Sequence, residues 1–166
     1  MDLEQRVAEL ERRMAALEQA GPAAPAVGDG DLWALEGLKS QLAEAGAEGG
    51  GVLFTGAVRL PTRERYEWQF GALTDGLLED DWSQAAESFA ALGNPVRLRL
   101  LREIVGGLRT AAELAELDGL GTTGQIYHHL RQLTAAGWLH TAGRGRYEVP
   151  AGRMVPLLVA LTAARP

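Results

Sequence analysis

Between residues 94 and 145 the chain is punctuated so closely that it has room for only one order of elements. Asn94-Pro95 is a helix cap followed by a proline at the first helical position, where its missing N–H costs nothing. PVRLRLLREIVGG runs from there and stops at Gly106-Gly107. Thr110-Ala-Ala-Glu113 is a capping box that opens a short helix to Leu117, and Asp118-Gly119 turns the chain. Thr122-Thr-Gly-Gln125 is a second capping box, opening a longer helix that reaches about Ala136 before Gly137 ends it. WLHTAGRGRYEV then reads as two short strands about an Ala-Gly-Arg-Gly turn. A helix, DDWSQAAESFAALG, precedes this series, with Trp82, Ala85, Ala86, Phe89 and Leu92 expected on its inner side. An apolar helix, GRMVPLLVALTAA, follows it.

Helix, helix, short helix, turn, longer helix, hairpin is the order of a winged helix-turn-helix. The expected fold class is therefore mainly α with small β hairpins. The major groove of DNA is about 12 Å wide and admits one helix, whose first turns face base edges. In the helix from 122 to 136, Ile126, Leu130, Leu133 and Gly137 recur at helical spacing and predict the buried stripe. Gly124, Tyr127, His128 and Arg131 fall opposite, and Thr122, Thr123 and Gln125 form the opening turn. No carboxylate occurs from Gly121 to Tyr147. Gln pairs with adenine, Arg with guanine or phosphate, and a Thr methyl with thymine. Arg144 and Arg146 flank Gly145 and are expected at the wing tip, near phosphate or the minor groove. These nine residues are the candidate DNA contacts.

The net charge of −6 argues against nucleic acid until its distribution is examined. Residues 1–92 carry seven basic and seventeen acidic groups, a net of −10, whereas residues 93–166 carry nine and five, a net of +4. A basic half joined to an acidic half is expected when one half meets phosphate. The absence of cysteine excludes disulfides and thiolate metal sites. No apolar run approaches a membrane span, and DLEQRVAELERR is too charged for a signal peptide. The expectation is a cytoplasmic protein without membrane contact. Lys39 is the only lysine among sixteen basic residues, which with so much Ala and Gly reflects a high-G+C genome.

The acidic half divides into short pieces. Residues 1–20 form a helix with Leu3, Val7, Leu10, Met14 and Leu17 on a heptad seam, read either as a short coiled coil or as a helix packed on its own domain. Residues 21–30 are a Pro- and Gly-containing linker. Residues 31–76 form an accessory segment. In it a helix capped by Asp31 carries Leu32, Leu35, Leu38 and Leu42 along one side, and a hairpin follows. Val52, Phe54, Val58 and Leu60 share one parity, as do Tyr66, Trp68 and Phe70. A lone hairpin is unstable in water. Its apolar face either packs on a neighbouring element or makes, through Phe54, Tyr66, Trp68 and Phe70, the wall of an apolar-ligand pocket or a partner surface. Residues 80–150 are the winged helix and 152–166 the closing helix.

ALGNPVRLRLLREI, TAAELAE, TTGQIYHHLRQLTAAGWL and the GRGRYEV hairpin together resemble the ArsR/SmtB-type winged-helix regulators, over roughly residues 81–160. The resemblance implies a homodimer built by the first and last helices of the domain, here with Trp82, Phe89, Val155 and Leu158, alongside the heptad residues. It also implies repression by promoter binding, released by a metal or another signal. The metal-sensing cysteines are absent, and the final helix has no His, Asp or Glu. His128 and His129 are adjacent and point about 100° apart, so they cannot chelate one ion together. No metal and no cofactor is expected. His129 lies beside the buried stripe and is expected to be a satisfied imidazole. Arg97 falls towards the apolar side, where an ion pair with Asp80 or Asp81 is expected.

The leading function is a sequence-specific, dimeric DNA-binding regulator that partners double-stranded DNA and itself, with an apolar small-molecule effector as a further candidate partner. The alternative is a protein-interaction module working through the acidic half. No nucleophile–base set, carboxylate pair beside a histidine or phosphate loop is present, so no enzyme is expected.

Overall fold

The computed structural model describes residues 5–7 and 32–165. Residues 5–7 are helical and Val7 is exposed. Leu3, Leu10, Met14, Leu17, the linker and Asp31 lie outside the described residues. The chain divides into two compact units, 1–41 and 42–166. A first helix, α1 (Trp33–Glu44), has no buried residue. Its leucine row is thus not a core stripe.

The hairpin and the winged helix share the second unit. β1 (Gly51–Arg59) and β2 (Arg65–Leu73) pair antiparallel, with Phe54 opposite Phe70, Gly56 opposite Trp68 and Val58 opposite Tyr66. The alternation read from the sequence therefore becomes one face. Half of that face is spent on the winged helix. Leu60 is buried in the main core, and Val58 and Tyr66 pack against it. Gly56 sits so close to Val155 that a Cβ there would lie 2.6 Å from Cγ1. The other half, with Val52 and Phe70, is exposed.

A short helix, α2 (Thr74–Glu79), follows, which the sequence did not announce. Its cap, Leu73, makes no side-chain cap bond and Gly76 lies within it. The predicted helix over 81–92 starts as a 3-10 turn, Trp82–Ala85, before becoming α3 (Ala86–Leu92). The Asp81 carboxylate accepts from the Ser83 N–H, and the Trp82 indole donates to the Leu77 carbonyl at 2.7 Å. The inner side differs from expectation as well. Ala91 is buried there, whereas Trp82 and Phe89 are each 67% exposed.

The rest is a winged helix-turn-helix. Asn94 caps α4 (Pro95–Gly106) through Val96 N and Arg97 N, and Gly107 closes it with a left-handed φ of 118°. Both capping boxes form: Thr110 with Glu113 at α5 (Ala111–Ala115), and Thr122 with Gln125 at α6 (Thr123–Ala135). β3 (His140–Ala142) and β4 (Arg146–Glu148) make the wing. Thr110 bridges to Arg146, and Tyr147 N–H donates to the Arg109 carbonyl at 2.7 Å, so the strand edge is tied back to the helix-turn-helix. α7 (Ala151–Ala163) closes the unit. Leu100, Ile104, Leu114, Leu120, Ile126, Leu130, Leu133, Leu139 and Leu157 form one fully buried core.

Candidate nucleic-acid interface

The helix α6 is built to present one face and hide the other. Ile126, Leu130 and Leu133 are fully buried, at the predicted spacing. Thr122, Thr123, Gly124, Gln125, Tyr127, His128 and Arg131 are all exposed. The first turn is not free, however. Thr122 N–H donates to the Gln125 side-chain oxygen Oε1 at 2.8 Å, and Gln125 backbone N–H donates to the Thr122 hydroxyl at 3.4 Å. The Gln125 amide therefore reaches a base through its NH₂ alone, or by giving up the cap.

The wing turns through Arg144 and Gly145, with φ of 63° and 71°. Left-handed φ is strained for a residue with a side chain. Arg144 and Arg146 are both exposed, and with Arg131 they give α6 and the wing three cations without a carboxylate between Gly121 and Tyr147.

Two polar clusters lie behind this surface, one absent from the sequence reading and one with partners other than those expected. In the first, Arg109, whose side chain is only 14% exposed, donates to Glu148 at 2.8 Å and to Glu64 on the hairpin turn. Thr62 also donates to Glu64. The Thr62 hydroxyl and the Arg109 guanidinium hold the Glu64 carboxyl below the ordinary carboxylate value. Burial works against the charge of Arg109, but its two glutamates more than offset that and raise its pKa. Burial, with Glu64 beside it, pushes the Tyr66 phenol up. Glu64 is 45 residues from Arg109, so no local pattern could have paired them.

The second cluster replaces the expected Arg97 ion pair. Arg97 donates to the Ala91 carbonyl at 2.6 Å, to the Ala90 carbonyl at 2.7 Å and to Gln132 of α6 at 2.7 Å. The cause was readable in the sequence. The helical partner of Ala91 would be residue 95, a proline without an N–H.

His129 departs from expectation too: its Nδ1 is buried and has no hydrogen-bond partner among the described residues. His128 and His129 ring centroids are 5.8 Å apart. His140 lies exposed on β3, opposite Glu148. Among the described residues no cluster of three His, Asp or Glu is placed to hold a metal ion.

The structure separates the remaining candidates. Val155, expected at a subunit interface, is 1% exposed and covered by the chain's own hairpin, because Gly56 lets β1 approach it. Leu158 is half-buried beside a groove of about 380 Å³ between β1 and α7. The four aromatic residues do not form the wall of that groove, which is lined by Thr55, Gly56, Val58, Val155, Leu158, Val159, Thr162 and Ala163. Instead Tyr66 joins the core, the Trp68 ring lies about 3.7 Å from a Cβ built at Gly152, and Phe54 contacts Phe70 with centroids 5.8 Å apart.

A family model described as a helix-turn-helix domain matches residues 92–141, from the end of α3 into β3. Comparison with curated proteins gives no match. The family match supports a DNA-binding regulator. Among the described residues no helix is long and apolar enough to cross a membrane.

Proposed function

We propose that the chain is a sequence-specific transcriptional regulator that enters the major groove with α6 and reaches backbone or minor groove with the wing. The observation that carries this reading is the outward face of α6. Tyr127, His128 and Arg131 are exposed on one side of a helix whose other side is fully buried, and the sequence from Gly121 to Tyr147 holds no carboxylate. Gln125, Thr123 and Arg131 supply base-edge chemistry, and Arg144 and Arg146 supply phosphate chemistry. The regulator acts as a dimeric repressor, with half-sites about 10–10.5 bp apart, one helical turn. The exposed Trp82 and Phe89 support a contact between copies there, since large apolar side chains left uncovered mark interfaces. The chain is not a thiolate metal sensor.

The test is affinity selection of fragmented genomic DNA on the purified full chain, read by sequencing, with Arg131→Ala in parallel. Enrichment of one inverted repeat, lost in the variant, is the expected result. Arg144→Ala with Arg146→Ala should weaken binding to every duplex and reduce the salt slope by about two. Featureless recovery with unchanged salt slope would refute the reading. A second reading, a protein-interaction module, is favoured by the exposed Val52, Trp68 and Phe70 on the hairpin. Trp68→Ser with Phe70→Ser separates the two, because a DNA reader keeps its operator when that face is made polar.

A further inference from the structure

We infer that Arg97 is a positioning residue that sets the rotation of the recognition helix through Gln132, and so determines base discrimination without touching DNA. The inference rests on the DNA-reading function proposed above.

The core contacts of α6 bury Ile126, Leu130 and Leu133 completely and set which side of the helix faces inward. Ile126, Leu130 and Leu133 are aliphatic, and the hydrophobic effect that holds them is non-directional. The Arg97–Gln132 bond, 2.7 Å long and spanning 35 residues of sequence, is directional. Gln132 lies one turn beyond His128 and next to Arg131, so whatever holds Gln132 holds the reading face. The magnitude is decisive. A rotation of about 20° moves a side-chain tip ~6 Å from the helix axis by ~2 Å. A recognition geometry tolerates about 0.5 Å.

Arg97 is suited to act as the fixed end. Its Nε and Nη2 are spent on the Ala91 and Ala90 carbonyls, the last turn of α3. Neither carbonyl has its usual helical partner. Pro95 has no N–H to give Ala91, and the Asn94 N–H, which would serve Ala90, goes to the Leu92 carbonyl instead. Two bonds to a rigid helix end lock the guanidinium plane and leave Nη1 aimed at Gln132. A lysine carries the same charge but no such fork. The arrangement also ties α6 to the segment carrying Trp82 and Phe89, so the angle of reading is referred to that exposed surface.

The experiment is a double-mutant cycle read on DNA. Gln132→Met removes the acceptor at an exposed position, where folding is not at stake. Arg97→Lys keeps the charge and removes the fork. Affinity is measured by fluorescence anisotropy on the selected repeat and on a random duplex over a range of salt, with a thermal melt of each protein. Each single variant should bind the repeat roughly tenfold more weakly while random-duplex affinity and salt slope stay as in the wild type, and the double variant should be no worse than the weaker single one. The Gln132→Met result counts most, since its melt should match wild type and a purely structural role would leave discrimination unchanged. Additive losses, random-duplex affinity lowered as much as repeat affinity in Arg97→Lys, or unaltered discrimination in Gln132→Met would each overturn the inference. If the wild-type chain selects no repeat, the DNA-reading function fails and this inference with it. Selection by wild type with any of those three outcomes removes this inference alone.

Discussion

Replacing Gly56 by alanine tests whether the hairpin is a fixed part of the winged-helix unit. The added Cβ would lie 2.6 Å from Val155 Cγ1 and 3.3 Å from Cγ2. Real Cβ atoms do not approach that closely, and Val155 is buried against the strand. Either the strand lifts from α7 or Val155 leaves its rotamer, and such overpacking costs about 1–3 kcal/mol. Val155→Ala alone removes two carbons' worth of packing, about 1.6 kcal/mol of transfer energy before any cavity term. Independent effects would sum to roughly 3–4 kcal/mol. The structure requires otherwise, because the alanine methyl at 56 occupies the space that a valine methyl vacates. The double variant should lie within about 1.5 kcal/mol of wild type, a coupling of about 2 kcal/mol. Urea unfolding of the four proteins gives the cycle, and melts should shift by about 4 °C per kcal/mol at this size. A Gly56→Ala protein as stable as wild type, or a double variant showing the full sum, would refute the close docking of β1 on α7.

Three further outcomes follow from the Arg109 cluster and the α6 capping box. Arg109→Met leaves Glu64 and Glu148 facing each other with no cation between them, and should cost on the order of 2 kcal/mol in urea unfolding, largely recovered when both glutamates are also made glutamine. Glu64 has a folded pKa below its ordinary 4.5, so its stabilisation is present above that value and is lost as pH falls through the folded pKa; stability measured from pH 6 to pH 3 should fall more steeply in wild type than in Glu64→Gln. Thr122→Ala removes one arm of the α6 capping box and should cost about 1 kcal/mol by thermal melt, whereas Thr123→Ala, one residue on and outside the box, should cost less than half of that.

The winged helix was legible because its signals are local. Asn94, Thr110 with Glu113, and Thr122 with Gln125 each act over three residues, and each forms in the structure as the spacing requires. The buried stripe of α6 was legible for the same reason. What the sequence concealed depends on contacts across long stretches of chain. Phe89 and Trp82 have the spacing of a core face, yet the segment opens as a 3-10 turn over Trp82–Ala85 and both side chains are exposed. Val155 reads as one more apolar position on a greasy helix, and nothing near it says that Gly56 will cover it. The Arg97 contacts lie between these cases. The orphaned carbonyl before Asn94-Pro95 follows from sequence alone, while the third donor's reach to Gln132 does not.

The docking of Gly56 on Val155 also has a bearing on synthesis. The two residues are about a hundred positions apart, so the hairpin is made long before the helix that covers it. Translation proceeds at about 5–20 residues per second, which leaves Val58 and Leu60 without their partners for roughly 5–20 s. During that time the nascent chain shows an uncharged run from Gly51 to Val58, with neither proline nor lysine to discourage pairing with another strand. Ribosome-bound chains stopped before Ala151 should therefore bind a hydrophobic-segment chaperone or aggregate, and chains extended through α7 should not. The helix α7 completes the unit that the hairpin of β1 and β2 begins.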